Sequence, residues 1–123
     1  MALTTASCKA KGRRLQQEVA RAILQKFPCL HESDVRPTSM GAPGEDIALS
    51  LAARKILPIS IECKNQQTLN LWGSMLQCKA NIPKTCAFEI NPTLVIKKNH
   101  KPMLVVLEFD HWLDLYSQLY NQM

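Results

Sequence analysis

Three prolines divide this chain. Pro58, Pro92 and Pro102 each stand directly before an apolar run. Proline lacks a backbone N–H, and the first residue of a strand is one of the few sheet positions that tolerates the loss. The spacing therefore predicts strands at about 59–64, 93–97 and 103–109. A fourth precedes them: Ile47, Leu49 and Leu51 alternate with Asp46, Ala48 and Ser50, as a half-buried strand requires. Ile59, Ile61 and Cys63 alternate likewise with Ser60, Glu62 and Lys64. With 52–57 as a connection, the first two strands read most simply as an antiparallel hairpin. The last two flank a turn at Asn99-His100-Lys101.

Helical periods fill the remainder. Leu15, Val19, Ala22, Ile23 and Phe27 share one side of a segment running from about Lys9 to Pro28, with Arg14, Gln17, Glu18, Arg21 and Gln25 opposite. Leu69, Trp72, Met75, Leu76 and Ala80 recur at helical spacing, so Trp72 is expected in the core. Asp110 is a suitable N-cap for a last helix through Tyr120. Residues 29–44 carry Pro37, Gly41, Pro43 and Gly44 and read as a long loop. Residues 1–8 read as a flexible N-terminal arm and 9–123 as one domain. The expected order is α-β-β-α-β-β-α: an α/β fold with a mixed sheet of about four strands flanked by helices.

The charge is placed unevenly. Residues 1–27 hold six basic groups and one acid, whereas 28–123 hold nine of each, so the net charge of +5 sits at one end. Such a concentration fits a polyanion contact, with a solvated basic helix as the competing reading. The longest apolar run, Met103–Leu107, is five residues, far below the roughly 20 of a membrane span. No membrane partner is expected. Five cysteines, none in a C-x-x-C pair, argue against a disulfide scaffold or structural zinc and fit reduced thiols in a cytoplasm.

The informative stretch is Gly44-Glu45-Asp46-Ile47 followed by Ile59-Ser60-Ile61-Glu62-Cys63-Lys64. Residues two apart on a strand share a face about 6.6 Å apart. Pairing the strands brings Asp46 beside Glu62, with Lys64 following. Gathered carboxylates repel one another unless a proton or a cation intervenes. Hard oxygen donors with room for water suit Mg²⁺, or Mn²⁺, together with phosphate oxygens. Such an ion polarises a phosphodiester and activates a water, which Lys64 can orient.

These residues, with the basic helix beginning Lys11-Gly12 and Ser39 in a glycine-containing loop, resemble the PD-(D/E)xK nuclease superfamily. Within it the layout is similar to the Holliday-junction resolvase branch, especially the small resolvase-like endonucleases of bacteriophages. The likeness spans about residues 10–118. It implies a restriction-endonuclease-like core and a metal-dependent, structure-specific DNA endonuclease, usually a homodimer, acting on four-way or branched junctions in a cytoplasm, the host's if the chain is phage-encoded. It also implies that Asp46 and Glu62 bind metal with the Cys63 carbonyl, while Lys64 acts on the attacking water.

One position departs from that pattern. Such resolvases carry an acid in the first helix four residues after the glycine, where this chain has Gln16. Gln16 projects among Leu15, Val19 and Ile23, towards the sheet, where it can hold a metal-bound water; Glu18 projects to the polar side. Lys11, Arg13, Arg14, Arg36 and Ser39 are the candidate DNA contacts. Lys97, Lys98 and Lys101 either grip backbone phosphates or protect a sheet edge. Two other readings stay open: a less selective DNA-degrading or nicking nuclease, and a non-catalytic nucleic-acid-binding module with a relict fold.

Overall fold

The computed structural model describes residues 5–39 and 41–123. Helix α1, Thr5–Lys26, starts four residues earlier than its periodicity indicated. Of the arm expected at 1–8, residues 1–4 lie outside the described residues, and the rest forms the first turn of this helix. The inward face of α1 is Leu15, Gln16, Val19 and Ala20, with Ile23, Leu24 and Phe27 half-buried. Ala22, expected inside, is exposed.

Residues 29–44 are not all loop. A 3-10 turn at Glu32–Asp34 leads into β1, Val35–Pro37, which pairs antiparallel with β2, Ile47–Leu49. The register places Val35 opposite Leu49 and Pro37 opposite Ile47. Three residues ending in a proline show too little alternation for a period to be read.

The antiparallel hairpin expected between the strands at 46–51 and 59–64 is absent. The connection is a helix, α2, Leu51–Ile56, capped by Ser50 Oγ accepting from the Ala53 N–H at 3.1 Å. Ala, Arg, Lys and Leu favour that conformation. Leu51 is thus an exposed first-turn helical residue rather than a strand residue. One backbone bond, Asp46 N–H to Ile61 O at 3.0 Å, ties the head of β2 to β3, Ile59–Asn65.

From β3 the chain crosses through α3, Leu71–Ala80, into β4, Asn91–Lys97, which pairs with β3 in parallel. Helix α3 covers β3 and β4, and its buried residue is Cys78. Trp72 was expected there and instead stands 82% exposed, as does most of Leu76. With Asn70 capping the helix, the phase of α3 turns Leu71, Ser74, Met75 and Cys78 towards the sheet. The tight turn after β4 puts His100 at a φ of 60° and returns the chain antiparallel as β5, Leu104–Val106.

The molecule is therefore mixed α/β, with a three-stranded mixed sheet in the order β3-β4-β5 and a two-stranded antiparallel sheet, β1-β2. The core lies under α1, where Leu15, Val19 and Ala20 meet Leu30, Val35, Ile47, Leu49, Ala53, Ile61 and Val95. The last helix, α4, Phe109–Asn121, begins two residues after Leu107, with Glu108 rather than Asp110 at its N-cap. Asp110 falls in the first turn, where its charge suits the helix dipole. No described residue of α4 is buried.

Candidate functional site

Asp46 reaches its position through backbone bonds on both sides. Its carbonyl accepts from Thr38 N–H at 2.9 Å and from Thr38 Oγ1 at 3.2 Å, while its N–H donates to Ile61 O. Its carboxylate turns to β3 and accepts from the Cys63 N–H at 2.7 Å through Oδ2. In an extended strand the N–H and C=O of one residue leave by the same edge, so the Cys63 carbonyl also faces this side.

Glu62 is buried in the middle of β3, and Lys64 follows with Nζ 3.7 Å from Glu62 Oε1. Asn81, the residue that closes α3, donates to Glu62 Oε2 at 3.4 Å. Gln16 arrives from α1, is 6% exposed, and its Oε1 has no hydrogen-bond partner among the described residues. Asp46, Glu62, Cys63, Lys64 and Gln16 line one cleft of about 650 Å³.

The electrostatics agree with this crowding. Burial raises the Asp46 carboxyl above its ordinary value, against the Cys63 N–H bond and the Lys64 ammonium, which act the other way. Burial also raises Glu62, and the charge of Asp46 raises it further, with Asn81 and Lys64 opposing. Two carboxyls pushed up in this way favour a proton or a cation between them. The same burial, with the charges of Asp46 and Glu62, pushes the Cys63 thiol far above its usual value. A thiolate nucleophile is disfavoured there.

Among the described residues, no three His, Cys, Asp or Glu side chains gather into a metal-holding group. The oxygens on offer include two carboxylates, the unpaired amide oxygens of Gln16 and Asn65, and a strand carbonyl. That donor set suits a hard divalent cation that keeps several waters, and not zinc.

The candidate DNA contacts divide. Lys11 and Ser39 line the cleft, and Lys11 Nζ donates to Asn99 Oδ1 at 2.6 Å, tying α1 to the β4–β5 turn. Arg13 and Arg14 stand exposed on α1 beside it. Arg36 lies elsewhere, in a groove between α1 and β1 with Gln17, Arg21 and Glu32. Lys97 Nζ donates to the carbonyls of Lys98 and Lys101 and closes its own hairpin.

Several contributors were not singled out in the sequence. Asn81 reaches Glu62 only because α3 ends beside β3. Asn65 lines the cleft, donates to Lys11 O at 3.4 Å and leaves its Oδ1 unpaired among the described residues. Its place next to Lys64 was the available signal. Glu45 and Arg54, one residue before Asp46 and on α2, form a buried ion pair just behind the site. Comparison with protein-family models, with curated proteins and with solved structures finds no match for this chain.

Proposed function

We propose that this protein is a divalent-metal-dependent DNA endonuclease with a restriction-endonuclease-like core, acting on branched or four-way DNA. The observation that carries the reading is the convergence of Asp46, Glu62, Lys64 and the unpaired Gln16 oxygen in one cleft, beside the exposed basic residues of α1. A protein that only binds phosphate gains nothing from buried acids at the contact.

Asp46, Glu62 and the Cys63 carbonyl would hold Mg²⁺ or Mn²⁺, with Gln16 Oε1 on the same ion or accepting from one of its waters. When bound, the ion supplies charge neutralisation at the scissile phosphate and a more acidic water. Lys64 Nζ, held near Glu62, donates to the attacking water and steadies the charge that develops on phosphate oxygen. The Cys63 N–H fixes Asp46 Oδ2, which leaves Oδ1 to face the cleft. Lys11, Arg13, Arg14 and Ser39 contact the DNA backbone around the cut, and Arg36 extends the basic surface round α1. Two copies of the chain act together, one on each of two equivalent strands.

Incubating the pure protein with labelled four-way junction, linear duplex and single-stranded DNA, with and without Mg²⁺, tests this. Metal-dependent cutting of the junction alone supports the reading. Equal cutting of all three marks a less selective nuclease, and binding without cutting marks a non-catalytic module.

Gln16→Glu adds a third negative charge to the cluster and is expected to lower the Mg²⁺ concentration for half-maximal cleavage by about tenfold. A titration of cleavage rate against Mg²⁺ measures it, and an unchanged midpoint removes Gln16 from the ion's surroundings. Neutralising Lys11, Arg13 or Arg14 is expected to weaken binding to all DNA shapes alike. Each is also expected to reduce the log–log salt dependence by about one unit. An unchanged slope for all three assigns them to solvation.

A further inference from the structure

Glu45 and Asp46 are neighbours at the bend before β2, and their side chains reach opposite sides of the chain. Asp46 faces the cleft, and Glu45 faces away from it into the protein. Behind Glu45 lies Arg54 of α2, 5% exposed. One Arg54 nitrogen bonds Glu45 Oε1, and the other donates to Ile59 O at 3.0 Å. Ser60 Oγ donates to Glu45 Oε2 at 3.2 Å. Both Glu45 oxygens are therefore fixed to the first two residues of β3, the strand that carries Glu62 and Lys64.

The preceding chain holds the Asp46 backbone through Thr38, but not Glu45. Gly41 and Gly44 have φ values of 82° and 97°, a region that L side chains rarely adopt, and residues 41–44 are exposed or half-buried. Asp46, at the head of β2, is tied to Thr38 and Ile61 through its backbone and to the Cys63 N–H through its carboxylate, and the Glu45 contacts add a further tie from the residue before it to the start of β3.

We propose that the buried Glu45–Arg54 pair is a positioning device that holds Asp46 in register with Glu62, and that Arg54 is its key residue. Arg54 touches neither the cleft nor anything bound in it; it acts through Glu45. The planar fork of Arg spans a carboxylate and a carbonyl at once, which the single ammonium of Lys cannot do. The pair also neutralises the Glu45 carboxylate behind Asp46, so that it adds no third like charge to the cluster. As a consequence for metal binding, the inference rests on the proposed function above; as a statement about Asp46, it stands on geometry.

The test pairs two readouts. The Cys63 amide proton reports Asp46 directly, because its 2.7 Å bond to the carboxylate shifts its resonance downfield. Apo protein carrying Arg54→Met with Glu45→Leu keeps an apolar pair of similar bulk, which buried sites commonly accept. Its Cys63 amide is expected to move most of the way to the value in Asp46→Ala. Binding of Mn²⁺, followed by its paramagnetic resonance, is expected to weaken by about 10- to 100-fold, the usual consequence of losing a residue that orients a ligand. Arg54→Lys is expected to fall between the two, and it serves alone if the double variant does not fold. A wild-type Cys63 resonance in both variants overturns the proposal. If the wild-type protein takes up no Mn²⁺, the metal reading fails, while the amide readout still decides for or against the positioning role.

Discussion

Asp46→Asn or Glu62→Gln is expected to slow Mg²⁺-dependent cleavage of branched DNA by at least about a thousandfold, leaving DNA binding within about twofold. A catalytic ion and its activated water contribute several kcal/mol, and each 1.36 kcal/mol is a factor of ten. The phosphate contacts assigned to Lys11, Arg13 and Arg14 do not pass through either carboxylate, so affinity is spared. Full cutting by Asp46→Asn sinks the metal site, and loss of binding in parallel with cutting points to misfolding instead.

The same variants carry a pH signature. Folding raises both carboxyls, so the folded chain holds protons more tightly than the unfolded chain. Their contribution to stability is complete below the ordinary values of 3.8 and 4.5 and is lost as pH rises through the raised folded values. In metal-free buffer the melting temperature of Asp46→Asn, minus that of wild type, is therefore expected to grow as pH rises above about 4. Thermal melts in chelator between pH 4 and 8 measure it. A constant difference shows that the two acids do not strain the apo fold. Added Mg²⁺ is expected to stabilise wild type and leave the variant unchanged.

The second large effect concerns assembly. Wild-type protein is expected to sediment as a dimer at micromolar concentration, with Trp112→Glu and Tyr116→Glu weakening association more than about thirtyfold, as loss of a central interface aromatic does. Helix α4 buries none of its described residues, although Trp112, Leu113, Leu115, Tyr116, Leu119 and Tyr120 span an arc of about 160° in helical projection; Met123 lies past the helix end. Trp112 packs on Tyr116, ring centres 5.0 Å apart, and on Phe109 at 6.0 Å. Five aromatics on α3 and α4, Trp72, Phe109, Trp112, Tyr116 and Tyr120, expose together roughly 650 Å², taking about 200 Å² for each. The aliphatic residues add to this. Monomers seldom expose a patch above about 600 Å², and a standard interface buries about 800 Å² per partner.

The charge on α4 selects among occupants. Phe109–Asn121 carries Asp110 and Asp114 and no Lys or Arg, which suits neither DNA nor an anionic lipid surface. A second copy offers a matching apolar face. Strand β5 ends the sheet with Leu104 and Val105 exposed, so its free edge can take part. A monomeric wild type at about 100 µM, well above the Kd of a typical specific interface, overturns this assembly.

Much of this protein was legible along the chain because it follows local periodicity. Alternation around Ile61 marked the strand that carries Glu62 and Lys64, and Pro58 stands directly before it; Pro92, by contrast, falls inside β4, and β5 starts two residues after Pro102. The period of α1 turned Gln16 inward with Leu15 and Val19, which is why its oxygen ends in the cleft. Each of these depends on which face a residue takes, and sequence spacing sets that face.

Partners distant in sequence were decided only in three dimensions. That β2 pairs with Val35–Pro37, and that β3 pairs with β4 in parallel, depends on where helices pack. Trp72 and Met75 have similar periodic claims to the core, and Asn70 capping fixed which one points outward. The Glu45–Arg54 pair joins two residues nine apart through a helix that reads as a simple connection in the sequence. A buried charge finds its partner by burial and geometry, and neither is written in the order of residues.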